Sequence, residues 1–174
     1  MAEQFQQFMN RASIEFSANL EQRVYETLKQ HKILIAVAES LTGGLISSML
    51  TSWPGSSEYF VGGAVCYTPR AKIIQTGIDP KVIAEYGIVS GGTALGLARG
   101  ISQRLFTQLG LGITGVAGPE VHGGRKVGTV FIGLVDKERE IVKEFSLDGS
   151  REEIQRKSAE AALGVLWLYL KDKN

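Results

Sequence analysis

The chain has 174 residues, 44% of them hydrophobic, and a formal charge of +1 at neutral pH. This length and apolar content fit one domain with a substantial buried core and exclude a generally disordered chain. A near-neutral balance without a concentration of Lys and Arg excludes a nonspecific nucleic-acid surface. A small phosphorylated ligand needs only one or two basic side chains and some backbone N–H groups.

Residues 1–12 read as a flexible N-terminal arm and residues 13–174 as a single α/β domain. Ile14 to Lys32 is a helix candidate, with Leu20, Val24 and Leu28 on one face. The run Ile33-Leu34-Ile35-Ala36-Val37-Ala38 has strand length and is apolar throughout, as in a strand covered on both faces. Leu45 to Leu50 is helical and stops near Trp53-Pro54-Gly55-Ser56. Tyr59 to Tyr67 is a second strand, in which Gly62 and Gly63 mark a bulge or a close backbone approach.

Asp79-Pro80 starts a short helix that Gly87 closes, and Thr93 to Leu109 forms a longer one. Leu111 to Thr114 is a brief strand running into the loop Gly115–Gly124. Val127–Val135 and Glu140–Leu147 are joined by Asp136-Lys137-Glu138-Arg139, a connection short enough to impose antiparallel pairing. Ser150 to Tyr169 is the last helix, with Ser150 as N-cap and Glu153 as its capping-box partner. The order α-β-α-β-α-α-β-β-β-α predicts a three-layer α/β/α sandwich with a mixed sheet.

The single cysteine, Cys66, cannot form an intrachain disulfide, and its apolar setting GGAVCY reads as a buried thiol in a reducing compartment. The opening MAEQFQQFMN lacks the charged-then-apolar pattern of a signal peptide, and no apolar run is long enough to span a bilayer. A cytoplasmic location, with neither membrane nor nucleic acid as a partner, is the expectation.

Chemistry is expected first at AESLTGG (38–44), where a strand turns into a helix. Ser40 offers a hydroxyl beside the N–H groups of Thr42, Gly43 and Gly44, which suit a phosphate or an oxyanion; a plain capped turn fits as well. Serine needs a base. Lys72, five positions after Tyr67 and at the same sheet rim, serves as one if desolvated; otherwise it is a surface lysine. His122 completes a Ser-His-acid arrangement only if its loop folds back on Ser40. Thr114 and Gly115 open a third patch, and Gly123-Gly124-Arg125-Lys126 keeps its loop basic and pliable. Arg151 and Arg156 are further candidates for an anion contact. Glu39 reads as structural, bonding to the turn backbone. One cysteine and two separated histidines give no metal site.

The segments AESLTGGLISSML (38–50), PGSSEYFVGGAVCYTPRAK (54–72), YGIVS (86–90), GITGVAGPE (112–120) and VGTVFIGL (127–134) together resemble the competence/damage-inducible protein CinA C-terminal domain family, in its stand-alone form. The resemblance implies a five-stranded, mostly parallel mixed sheet, a homo-oligomer and no cofactor. It implies an amidohydrolase that converts nicotinamide mononucleotide to nicotinic acid mononucleotide and ammonia. The alternatives are an amidohydrolase with another substrate or a non-hydrolytic nucleotide-binding paralogue. The family's serine falls on Ser40, its tyrosine on Tyr67, its lysine on Lys72, its second-loop hydroxyl on Thr114 and its helix arginine on Arg156. The chain departs from the usual family run at Leu41, at Thr68-Pro69-Arg70, at Gly91-Gly92 and after Pro119, and leaves no room for the family's N-terminal molybdopterin-like domain.

Overall fold

Strands that are apolar on both faces require helices above and below them, and the computed structural model has this arrangement. It describes residue 7 and residues 20–171. The arm expected over residues 1–12 (Gln7 apart) and the start of the helix expected from Ile14 lie outside the described residues. The elements are α1 (Leu20–Gln30), β1 (Ile35–Glu39), α2 (Leu45–Thr51), β2 (Phe60–Val65), α3 (Pro69–Thr76) and α4 (Pro80–Tyr86), followed by α5 (Gly91–Leu105), β3 (Leu109–Gly115), β4 (Thr129–Val135), β5 (Glu140–Ser146) and α6 (Arg151–Lys171). The five strands lie in the order β2-β1-β3-β4-β5. β1 pairs in parallel with β2 and β3, whereas β4 runs antiparallel to both β3 and β5. Four strands therefore point one way and β4 the other.

The two faces of the sheet differ in side-chain size. Ile35 and Val37 of β1, with Leu109, Leu111 and Ile113 of β3, join α1, α2 and α6 in the larger core. Ala36 and Ala38 turn to the other face, where they meet Leu97 and Ile101 of α5. The partners of these alanines in β3 are glycines, which lets the α5 backbone lie almost on the strand. A Cβ on Gly112 would stand 2.3 Å from the Ala94 carbonyl oxygen, and one on Gly110 would stand 2.1 Å from that of Ala98.

Local signals behave as their chemistry requires. The Asp79 side chain accepts from the Lys81 amide with Pro80 in the first turn, and Gly87 ends α4 at φ +85°. Ser150 and Glu153 form a reciprocal capping box. Both readings of Gly62-Gly63 apply. The β1/β2 register slips between Ile35 and Ala36, which leaves Val61 as a bulge, and Gly63 lies against Ser47 of α2. The helix α3 is absent from the sequence-based order, although Thr68 caps it and Pro69 occupies its first turn. Helix α5 starts and ends earlier than expected, so β3 gains Leu109 and Gly110. No helix among the described residues is long and apolar enough to cross a membrane.

Because backbone oxygens of α5 fill the space a side chain would need, Gly112→Ala should destabilise the protein by about 3 kcal/mol in chemical denaturation. Gly124→Ala, where no atom lies within 4 Å of the added carbon, should cost only the strain of its positive φ, about 1 kcal/mol.

Candidate active site

The carboxyl ends of the parallel strands β2, β1 and β3 bring three segments together: Cys66-Tyr67, Ser40-Leu41 and Thr114-Gly115. The chain leaves β1 towards β2 on one side and returns to β3 on the other, so these ends flank a topological switch point, where open α/β sheets bind ligands.

Glu39 fixes the turn. Its carboxylate is 1% exposed and accepts from the amides of Gly44 (3.0 Å), Ile46 (3.1 Å) and Ser47 (2.8 Å) and from the Ser47 hydroxyl (2.6 Å). It thus satisfies the N-terminal amides of α2, which Gly44, the residue at the N-cap position, cannot do with a side chain. This corrects the expected anion site at Gly43 and Gly44 and leaves the expected Thr42 amide open. The Gly44 amide is committed to Glu39, and that of Gly43 donates to the Ser40 carbonyl. The Thr42 hydroxyl is buried without a partner among the described residues and caps nothing. The amides of Leu41 and Thr42 carry no hydrogen bond among the described residues.

Lys72 is the buried cation of the site. Thr68 and Pro69 start α3 so that its fourth residue points back beneath β1 and β2, where the side chain is 1% exposed. Its Nζ lies 2.7 Å from Ser40 Oγ and 2.6 Å from the Cys66 carbonyl oxygen. Burial lowers the Lys72 pKa from 10.5 to about 8, with a small opposing contribution from Cys66. Burial likewise pushes the Cys66 thiol up, partly offset by Lys72. An amine that is neutral in roughly a tenth of molecules at pH 7 therefore lies within hydrogen-bond reach of Ser40.

These residues form the floor of a cleft of about 380 Å³. Leu41, Val89, Val116 and Ala117 give it an apolar wall, Thr114 and Gly115 its β3 side, and Tyr67, Glu120, His122 and Arg151 its mouth. The Thr114 hydroxyl donates to the Ile88 carbonyl at 2.8 Å, fixing the link between α4 and α5. Tyr67 is 55% exposed, and its hydroxyl accepts from Arg151 Nη2 at 2.6 Å. The other Arg151 nitrogen, Nη1, donates to the Gly118 carbonyl. Arg151 is thus the helix arginine at the cleft. Arg156 is not among its lining residues and pairs instead with Glu160 at 2.6 Å on the exposed side of α6. His122 reaches the cleft mouth, but Ser40 is engaged by Lys72, so no Ser-His pair forms.

The departures at Leu41, Thr68-Pro69 and Gly91-Gly92 are taken up by packing and by a helix start. Leu41 is buried in the larger core, and its carbonyl accepts from Gln155 Nε2 at 2.7 Å. Thr68-Pro69 is a helix start. Gly91 and Gly92 leave room for Val142 and the Tyr86 ring. Sequence reasoning missed Ile88, Val89 and Gln155, which carry no local signal for this role. It also missed α3, for which Thr68-Pro69 was signal enough. Among the described residues no group of three His, Cys, Asp or Glu side chains is arranged for a metal ion.

The family model of the CinA C-terminal domain matches residues 17–170. A CinA-like protein from Acidobacterium capsulatum is 43% identical over 150 residues, covering 84% of this chain and 36% of that protein. The chain spans 35–39% of the length of the curated relatives it matches. The crystal structure of competence/damage inducible protein CihA from Agrobacterium tumefaciens is 30% identical, with a TM-score of 0.82 over 90% of this chain and 98% of that one. A CinA superfamily protein from Klebsiella pneumoniae, at 22% identity and TM-score 0.85, covers 88% of this chain and 97% of its own; that likeness shows the fold alone.

Burial of Lys72 has a thermodynamic signature. Its folded pKa is depressed, so its contribution to stability is fully present above 10.5 and is lost as pH falls through about 8. Measured against Lys72→Met by denaturant unfolding, the parent chain should gain about 3 kcal/mol between neutral pH and pH 10.5. A difference that stays flat with pH would show that the amine is not desolvated.

Proposed function

The chain belongs to the CinA C-terminal domain family, and we propose that it is an amidohydrolase that converts nicotinamide mononucleotide to nicotinic acid mononucleotide and ammonia. The observation that carries the reading is the buried Ser40–Lys72 pair, 2.7 Å apart, with the Lys72 pKa lowered to about 8. An alcohol beside a neutral amine is a nucleophile beside its base, and the apolar wall next to it suits a flat pyridine ring.

Neutral Lys72 takes the Ser40 proton as Oγ bonds to the carboxamide carbon, and the carbonyl π pair moves onto oxygen. The Leu41 and Thr42 amides, unlike those of Gly43 and Gly44, are available to that oxyanion. The Cys66 carbonyl holds the ammonium of Lys72 in line. The C–N bond then breaks as Lys72 returns its proton to the departing nitrogen, releasing ammonia and leaving an ester on Ser40. Water gives a proton to Lys72, attacks the ester and frees the acid, and Lys72 reprotonates Ser40. Tyr67, held by Arg151, retains its own hydroxyl proton to donate at the mouth, while Thr114 and Gly115 shape the β3 wall. No step calls for a metal or an organic cofactor.

Ammonia release from nicotinamide mononucleotide tests the reading. Ser40→Ala should lower turnover by about 10⁴-fold or more while leaving the fold intact. The rate at limiting substrate should rise with pH to a plateau with an apparent pKa near 8, because protonated Lys72 cannot accept the serine proton. Undiminished ammonia release by Ser40→Ala would sink the nucleophile. Ligand affinity without ammonia from the parent chain would make it a binding paralogue.

A further inference from the structure

The cleft is graded from floor to mouth. Ser40, Lys72 and Thr114 at its floor are 7%, 1% and 1% exposed. Buried Leu41, Val89, Val116 and Ala117 line the middle, and an exposed hairpin carries Glu120, Val121 and His122 across the mouth. A substrate with its carboxamide at Ser40 and its ring along the apolar wall brings its remaining polar end to that hairpin.

The hairpin is held in place rather than loosely draped. His122 and Arg125 pair through both backbone groups, at 3.2 and 3.0 Å. Gly123 at its tip sits against Ile88, whose side chain would lie 3.2 Å from an added Cβ. At its base the Gly118 carbonyl is tied to Arg151. Arg125 turns away and lies over the Phe131 ring. The His122 imidazole has no hydrogen-bond partner among the described residues, although the turn beneath it is fixed. Arg151, the other nitrogen donor at the mouth, already spends hydrogen bonds on Tyr67 and Gly118. Glu120, the one carboxylate on the lining besides these donors, suits a sugar hydroxyl rather than an anion.

We propose that His122 contacts the substrate's phosphate and sets the cleft's preference for a nucleotide over the corresponding nucleoside. The proposal rests on the amidohydrolase reading to decide which end of the cleft holds the carboxamide. An imidazole N–H to a phosphate oxygen is a charge-assisted bond, made only when the phosphate is present. Its loss therefore changes discrimination rather than the chemistry at Ser40.

The test titrates the Ser40→Ala chain and the Ser40→Ala/His122→Ala chain with nicotinamide mononucleotide and with nicotinamide riboside in a calorimeter. Loss of the imidazole should weaken mononucleotide binding about tenfold and leave riboside binding within about twofold. His122→Arg, which keeps nitrogen donors at the site, should restore the preference. Equal weakening of both ligands, no change in either, or no mononucleotide binding by the Ser40→Ala chain overturns the proposal. Ammonia release by chains that keep Ser40 is measured alongside. Discrimination that depends on His122 without any ammonia would overturn the hydrolase reading and retain the phosphate contact. Ammonia release with unaltered discrimination would do the reverse.

Discussion

An ammonium group moved out of water loses hydration that two hydrogen-bond partners do not replace, so a buried lysine sheds its proton more readily. Lys72 is in that position because of contacts that begin far from it. Ala36, Ala38, Gly110 and Gly112 keep one face of the sheet low enough for α5 to settle onto it. On the outer side of α5, Gly100 admits the end of α3: a Cβ there would meet the Thr76 carbonyl oxygen at 2.2 Å. Thr76 in turn accepts from the Ile78 amide and donates to the Lys72 carbonyl at 2.7 Å, tying the last turn of α3 to the residue that carries the amine. The basicity of one side chain thus depends on small residues in the central strands, through the depth at which α5 and then α3 can sit.

Glu39 solves the complementary problem one residue before Ser40. Its four hydrogen bonds come from the start of α2, so the carboxylate and the helix end satisfy each other without water. The same bonds take the Gly44 amide out of the cleft. The turn consequently holds Ser40 in place and leaves the Leu41 and Thr42 amides without partners among the described residues. Gln155 adds a restraint from α6 through the Leu41 carbonyl, so Ser40 is held from the strand before it, the helix after it and the helix packed beside it.

Features legible in the sequence were those decided within a few residues. Ser150 with Glu153, Asp79-Pro80 and the four-residue turn before β5 each carry their own geometry, and each is found in place. Ser40, Lys72 and Thr114 were readable as candidates because strand ends face one way in such a sheet. That Lys72 is buried was not readable, since it depends on α3 and on its seat against α5. The size alternation of Ile35-Ala36-Val37-Ala38 was present in the letters, but it hides inside a run that is apolar throughout. The two arginines of α6 differ by five residues, about 140° around a helix, so only one can face the cleft. Resemblance favoured Arg156, and the fold turns Arg151 inward. The reach of Glu39 across eight residues to Ser47 has no sequence period to announce it.

The positions at which the chain departs from its family divide by what they touch. Leu41 packs in the core and along the apolar wall of the cleft, Pro69 removes an amide that the first turn of a helix leaves unbonded in any case, and Gly91 and Gly92 make room for Val142 and Tyr86. The segment after Pro119 is different, because its side chains are exposed at the cleft mouth while its backbone is anchored at Gly118 and at Gly123. A loop pinned at base and tip can exchange the residues between its pins without shifting the floor beneath it. Side chains at the mouth can therefore change while Ser40 and Lys72 stay in register, because Glu39, Gln155 and the Cys66 carbonyl, which hold the floor, make none of the contacts that pin the hairpin.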